Sequence, residues 1–103
     1  MNIFKQLFGS AKNTDLKDII EQGAFLVDVR TPAEFSRNPV KGSVNIPLDK
    51  IPAQLAKFKD KKDIVVFCLS GGRSSQAKSV LERHGFTNVI NGGTCDYVNQ
   101  FVK

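Results

Sequence analysis

The chain is poor in the residues that build metal centres and disulfide scaffolds. Its 103 residues include two cysteines, one histidine, one tyrosine and no tryptophan. Two cysteines without a Cys-x-x-Cys pair argue against a disulfide framework and against a zinc site. The single histidine, His84, excludes a multi-histidine metal centre. We therefore expect no metal ion and no cofactor, and we expect Cys68 and Cys95 to be free thiols in the reducing cytoplasm.

Long apolar runs and interleaved aromatic and basic residues are also missing. No apolar stretch is long enough to span a membrane, and the N-terminus MNIFKQLFG lacks the apolar centre of a secretory signal. The net charge is +5, but the basic residues are scattered along the chain. This pattern predicts no nucleic-acid partner and no membrane span. It fits a solvated basic surface, or one that attracts small anions.

The length of 103 residues indicates one domain over 1–103, divided into an N-terminal segment 1–13 and a core 14–103. In the segment, Ile3, Phe4, Leu7 and Phe8 would share one face of a short amphipathic helix. We expect that face to pack on the domain or on a partner, with contact to a membrane surface as the weaker alternative because so short a helix buries little.

In the core, short apolar runs alternate with helical patterns. Strands are predicted at 24–29, 44–47, 63–68 and 87–91, with a Gly-Gly turn at 92–93. Helices are predicted at 14–22, 31–35, 49–58 (capped by Asp49), 73–84 and 94–103. This order predicts an α/β domain with a mostly parallel sheet of four or five strands and helices on both faces. In such sheets, ligands bind beyond the carboxyl ends of the strands.

One cysteine stands at such a strand end. Cys68 closes the apolar run at 63–68, and the loop Leu69, Ser70, Gly71, Gly72 and Arg73 follows at once. The glycines let the backbone curl into a nest of N–H groups, and the next helix directs its positive end at the same point. Together with the charge of Arg73, these features predict a nucleophilic Cys68 with a lowered pKa that needs no general base. The alternative is a buried strand cysteine before an ordinary turn.

The combined pattern resembles a single-domain rhodanese, which is a sulfurtransferase module. The matching pieces are FLVDVRTPAEF, VKGSVNIPL, IVVFCLSGGRSSQAKSVLERHGF and VINGG, within 14–102. The resemblance implies that Cys68 takes sulfur from an anionic donor such as thiosulfate. The Cys68 persulfide, held by the N–H groups of 69–73, then passes it to a thiophilic acceptor, either cyanide or a thiol. It also implies a supporting charge network of Asp28, Arg30 and Glu34, with Arg30 facing the pocket as the alternative.

Two features of the loop bear on the kind of chemistry. Four residues separate Cys68 from Arg73, whereas phosphatases that share the fold have five, so a phosphatase is disfavoured. Leu69 stands where thiosulfate-preferring members often carry a basic residue. This leaves open a binding, regulatory or sulfur-delivery module with little turnover, whose acceptor is a small thiol or a protein. We expect a monomer or a weak dimer.

The second cysteine, Cys95, follows VINGG and is expected at the same end of the sheet as Cys68. It is interpreted either as a resolving thiol or second sulfur acceptor, or as a small apolar residue in the first turn of the last helix.

Overall fold

A parallel sheet of four strands organises residues 13–102, the part of the chain that the computed structural model describes. The strands are β1 (Phe25–Asp28), β2 (Val44–Asn45), β3 (Ile64–Cys68) and β4 (Val89–Thr94), in the spatial order β2-β1-β3-β4. The helices are α1 (Asn13–Glu21), α2 (Pro32–Arg37), α3 (Gly72–Arg83) and α4 (Cys95–Asn99). The predicted α/β class with a parallel sheet is confirmed. The predicted amphipathic face at 3–8 lies outside the described residues.

The central strand β3 is buried along its whole length and divides the interior into two cores. Val66 and Cys68 point into one core together with Ile64, and Val65 and Phe67 point into the other. The first core is closed by the apolar face of α3, and the second by α1 and α4. Because side chains alternate along a strand, a run of five apolar residues buries both faces only when helices cover both. The sequence prediction of helices on both faces is therefore correct.

A bulge in β4 replaces the turn that the sequence predicts at the Gly-Gly pair. Val66 lies opposite Asn91 and Phe67 lies opposite Gly93, so Gly92 is an extra residue in the ladder. The prediction of a turn at 92–93 is wrong, because the bulge absorbs the extra residue and the strand continues to Thr94.

Gly92 also lies where a side chain would have no room between β3 and α4. A Cβ atom built on it would lie 2.8 Å from Val65 Cγ1 and 2.8 Å from Val98 Cγ2. Both methyl groups belong to buried side chains, so the absence of a side chain at Gly92 is what lets α4 pack on the sheet.

The predicted helix at 49–58 is the clearest error of the sequence analysis. The segment forms two short 3-10 helices, Leu48–Ala53 and Leu55–Phe58, separated at Gln54. Pro52 has no N–H to donate inside the first of them, and Gln54 leaves the helical region at φ −128°. The residue before the first 3-10 helix is Pro47, so Asp49 does not cap it. The last helix is also shorter than predicted and ends at Asn99.

Candidate active site

The loop after β3 folds back over the sulfur of Cys68. The chain leaves the strand through the exposed Leu69 and Ser70 and enters α3 at Gly71, whose φ of +96° lies in the region that favours glycine. This turn brings the Gly71 N–H to 3.0 Å from Cys68 Sγ and the Ser74 N–H to 3.3 Å. Cys68 is itself fully buried, and its sulfur lies beneath a short loop at the N-terminal end of a twelve-residue helix.

This environment lowers the pKa of the Cys68 thiol. Burial by itself raises the pKa, but hydrogen bonds from the Ser74 hydroxyl and from the N–H groups of Ser74, Gly71 and Ser70 outweigh it. Donors aimed at sulfur stabilise the thiolate more than the thiol, and the positive end of the helix acts in the same direction. The direction agrees with the expectation from the sequence.

Arg73 is directed at a carboxylate rather than at the sulfur. Its Nη1 lies 2.7 Å from Glu34 Oε1 and its Nη2 lies 3.0 Å from Glu34 Oε2. The Arg73 hydrogen bond, followed by the Thr31 N–H, lowers the pKa of Glu34 to about 2. Thr31 caps α2, and its N–H and hydroxyl donate to Glu34 Oε1 at 3.0 and 3.1 Å, which holds the carboxylate in place. The positive charge that the sequence analysis assigned to the loop is therefore paired with a negative one.

Asp28 and Arg30 form a separate, buried pair. Arg30 Nε lies 3.0 Å from both carboxylate oxygens of Asp28, and Arg30 Nη2 lies 2.7 Å from Oδ2. The same Nη2 donates to the Asn38 carbonyl at 2.9 Å. The expected network of Asp28, Arg30 and Glu34 thus divides into two pairs, Asp28–Arg30 and Glu34–Arg73. Arg30 is only 3% exposed, which favours a structural pair with Asp28 over the alternative that Arg30 faces the pocket.

Two polar residues of the site were missed by the sequence analysis. Ser74 is fully buried, and its Oγ lies 3.5 Å from Cys68 Sγ and 2.8 Å from Asn91 Oδ1. A signal for Ser74 was present, because it shares the inner face of α3 with Ala77 and Leu81 at helical spacing. No comparable local pattern points to Asn91, since its position depends on the pairing of β4 with β3.

Cys95 lies at the expected end of the sheet but on the opposite face from Cys68. Thr94 pairs with Cys68 across the ladder, and Cys95 is the next residue. Its side chain packs in the core that contains Val65 and Phe67, whereas Cys68 belongs to the other core. Both are free thiols. A disulfide between them would require one side chain to change faces, so the placement favours the packing interpretation of Cys95.

The described residues contain neither a cluster of metal-ligating side chains nor a helix that could span a membrane. Within residues 13–102, no three histidine, cysteine, aspartate or glutamate side chains come together as a metal-ligand group. None of the helices in this part of the chain has the length and apolar character that crossing a membrane requires.

The fold and the loop define a small α/β domain in which backbone N–H groups of a turn point at the sulfur of a cysteine. Residues 12–99 match the rhodanese-like domain, and the chain belongs to this family. A sulfurtransferase from Allochromatium vinosum is 33% identical over 82 residues, which cover 80% of this chain and 72% of the relative. The thiosulfate sulfurtransferase GlpE from Pseudomonas savastanoi pv. phaseolicola is 39% identical over 75 residues, which cover 71% of each chain.

A solved structure agrees with this assignment. A rhodanese with anions from Escherichia coli superimposes with a TM-score of 0.66 at 32% identity, covering 73% of this chain and 91% of that one. Sulfurtransferase activity is the general function that the named relatives support.

Proposed function

We propose that this chain is a sulfurtransferase that carries a sulfane sulfur as a persulfide of Cys68. The donor is an anion such as thiosulfate, and the acceptor is cyanide or a thiol, either small or on a protein. The observation that carries the proposal is the buried Cys68 sulfur, which accepts hydrogen bonds from the N–H groups of Gly71 and Ser74 at the positive end of α3. Both cysteines are free thiols, which suits a reducing compartment such as the cytoplasm.

The transfer requires no cofactor and no outside oxidant. The Cys68 thiolate attacks the outer sulfur of thiosulfate, the new S–S bond forms, and sulfite leaves with the electrons of the old bond. The acceptor then attacks the outer sulfur of the persulfide, and the electron pair returns to Cys68 Sγ as thiolate. In both steps negative charge develops on sulfur, so the donors of loop 69–73 and Ser74 stabilise each transition state.

A second candidate is a delivery module that turns over slowly and passes its sulfur to a docked protein. Leu69 favours it, because this apolar side chain is 57% exposed beside the reactive sulfur. The pairing of Arg73 with Glu34 also favours the delivery module. Glu34 neutralises the charge of Arg73, so Arg73 attracts a small dianion less strongly. In this case Cys68 still forms a persulfide, but thiosulfate is a poor donor.

Intact mass after incubation with thiosulfate tests the proposal. The parent protein should gain one sulfur atom that cyanide removes, and Cys95→Ala should gain it equally. Cys68→Ser should gain none. If sulfur appears in Cys68→Ser, another residue carries it and the proposal is wrong. If the parent gains sulfur from a persulfide donor but not from thiosulfate, the delivery module is supported instead.

A further inference from the structure

We propose that Asn91 is a positioning residue of this site, which holds the hydroxyl of Ser74 and so sets how strongly Ser74 donates to the sulfur of Cys68. The inference rests on the proposed function only in taking Cys68 as the reacting group. Neither Asn91 nor its contact with Ser74 is needed for the sulfur chemistry above.

The backbone fixes which atom of the Asn91 amide faces Ser74. The Gly93 N–H donates to Asn91 Oδ1 at 2.9 Å, so that atom must be the oxygen and not the nitrogen. Ser74 Oγ lies 2.8 Å from the same oxygen. The bulge at Gly92 brings the Gly93 N–H back over the Asn91 side chain, and bulges commonly re-aim side chains beside active sites.

Ser74 has one hydroxyl proton and more acceptors than that proton can serve. Its Oγ lies 2.8 Å from Asn91 Oδ1, 3.0 Å from the Gly71 carbonyl and 3.4 Å from the Gly93 carbonyl, besides 3.5 Å from Cys68 Sγ. When Cys68 is a thiol, it donates to Ser74 Oγ, and Ser74 donates onward to Asn91. When Cys68 is a thiolate, the Ser74 hydroxyl donates to the sulfur instead, and its hydrogen bond to Asn91 is lost. Asn91 therefore competes with the thiolate for one proton.

The charged groups around the site are already paired or exposed. Arg73 from α3 is bound to Glu34 from α2, and Arg30 is bound to Asp28 at the end of β1. The 3-10 helix that packs on α3 contributes only the exposed Asp49 and Lys50. After β4, Cys95 and Tyr97 pack on the opposite face, and Asp96 is exposed. The neutral pair of Ser74 and Asn91 is thus well placed to decide the basicity of the sulfur.

The pH dependence of Cys68 alkylation by iodoacetamide, read by peptide mass, tests the inference without any sulfur donor. In Asn91→Asp the carboxylate holds the Ser74 proton more tightly, so the midpoint should rise by about one pH unit, the worth of one hydrogen bond. In Asn91→Ala the nearest competing acceptor is gone and only the more distant Gly71 and Gly93 carbonyls remain, so the midpoint should fall. Asn99→Asp, which adds the same charge on an exposed position of α4, should leave the midpoint unchanged.

A double-variant cycle separates this relay from a plain charge effect. In a Ser74→Ala background, the shift caused by Asn91→Asp should fall to less than half. An undiminished shift would mean that Asn91 acts through space and not through the hydroxyl. Shifts of the same sign in Asn91→Asp and Asn91→Ala would also overturn the inference. Because iodoacetamide replaces the donor, neither result depends on whether thiosulfate loads Cys68.

Discussion

Removing the charge of Asp28 tests whether the ion pair of Asp28 with Arg30 stabilises the fold or takes part in the active site. Asp28 is fully buried and Arg30 is 3% exposed. Asp28 accepts the Arg30 N–H at 2.9 Å as well as the guanidinium contacts at 2.7 to 3.0 Å. An asparagine in its place would keep the shape of the side chain, but it would turn one acceptor oxygen into a donor facing the guanidinium. The substitution Asp28→Asn therefore leaves a buried cation without its counter-ion.

The expected loss is a large share of the free energy of unfolding. Breaking a buried ion pair by removing one partner costs about 3 to 5 kcal/mol, whereas an exposed pair is worth about 0.2 to 1 kcal/mol. Domains of this size are stable by about 5 to 15 kcal/mol. Since each kcal/mol shifts the melting temperature by roughly 4 to 8 °C, Asp28→Asn should melt more than about 10 °C below the parent.

Urea unfolding followed by circular dichroism measures this loss, with Glu82→Gln as the matched control. Glu82 pairs with Lys78 at 3.9 Å on the exposed face of α3, so its loss should stay below about 1 kcal/mol. A loss of about 1 kcal/mol or less in Asp28→Asn would refute the reasoning. The folded variant should also alkylate Cys68 at the parental rate, because neither Asp28 nor Arg30 hydrogen-bonds the sulfur. A large fall in that rate would assign the pair to the site.

Two further predictions concern Glu34 and Gly92. The pKa of Glu34 is lowered from 4.5 to about 2, so its carboxylate contributes stability above pH 4.5 and loses it as the pH falls through 2. The urea midpoint of Glu34→Gln should therefore drop less between pH 5 and pH 2 than that of the parent, and a parallel drop would contradict the ion pair. Gly92→Ala should cost about 1 to 3 kcal/mol, since its Cβ would overlap two buried methyl groups at 2.8 Å. Gly72→Ala, whose Cβ would meet open space, should cost nothing, and equal unfolding midpoints for the two variants would refute the close approach at Gly92.

The sequence predicts an element of the fold correctly where residues close together in the chain determine that element. The run at 63–68 is apolar on both faces, and it forms the central strand β3 with Cys68 at its end. Gly71 supplies the positive φ that lets α3 begin directly above the sulfur. The prediction fails at 49–58, where proline and the departure of Gln54 from helical geometry divide an apparently helical pattern into two 3-10 helices.

By itself, the sequence determined the alternation of strands and helices, the cysteine at a strand end and the short loop that follows it. Only the tertiary structure decided which polar groups meet there. Arg73 contacts Glu34, which is 39 residues away in the sequence, and Ser74 contacts Asn91, which is 17 residues away. Both contacts depend on how the strands pair, and the contact of Ser74 with Asn91 depends also on the bulge at Gly92. Local periodicity reports which face of a strand is buried, but strand order and bulges follow from the packing of the whole sheet, so these partners emerge only when the chain is folded.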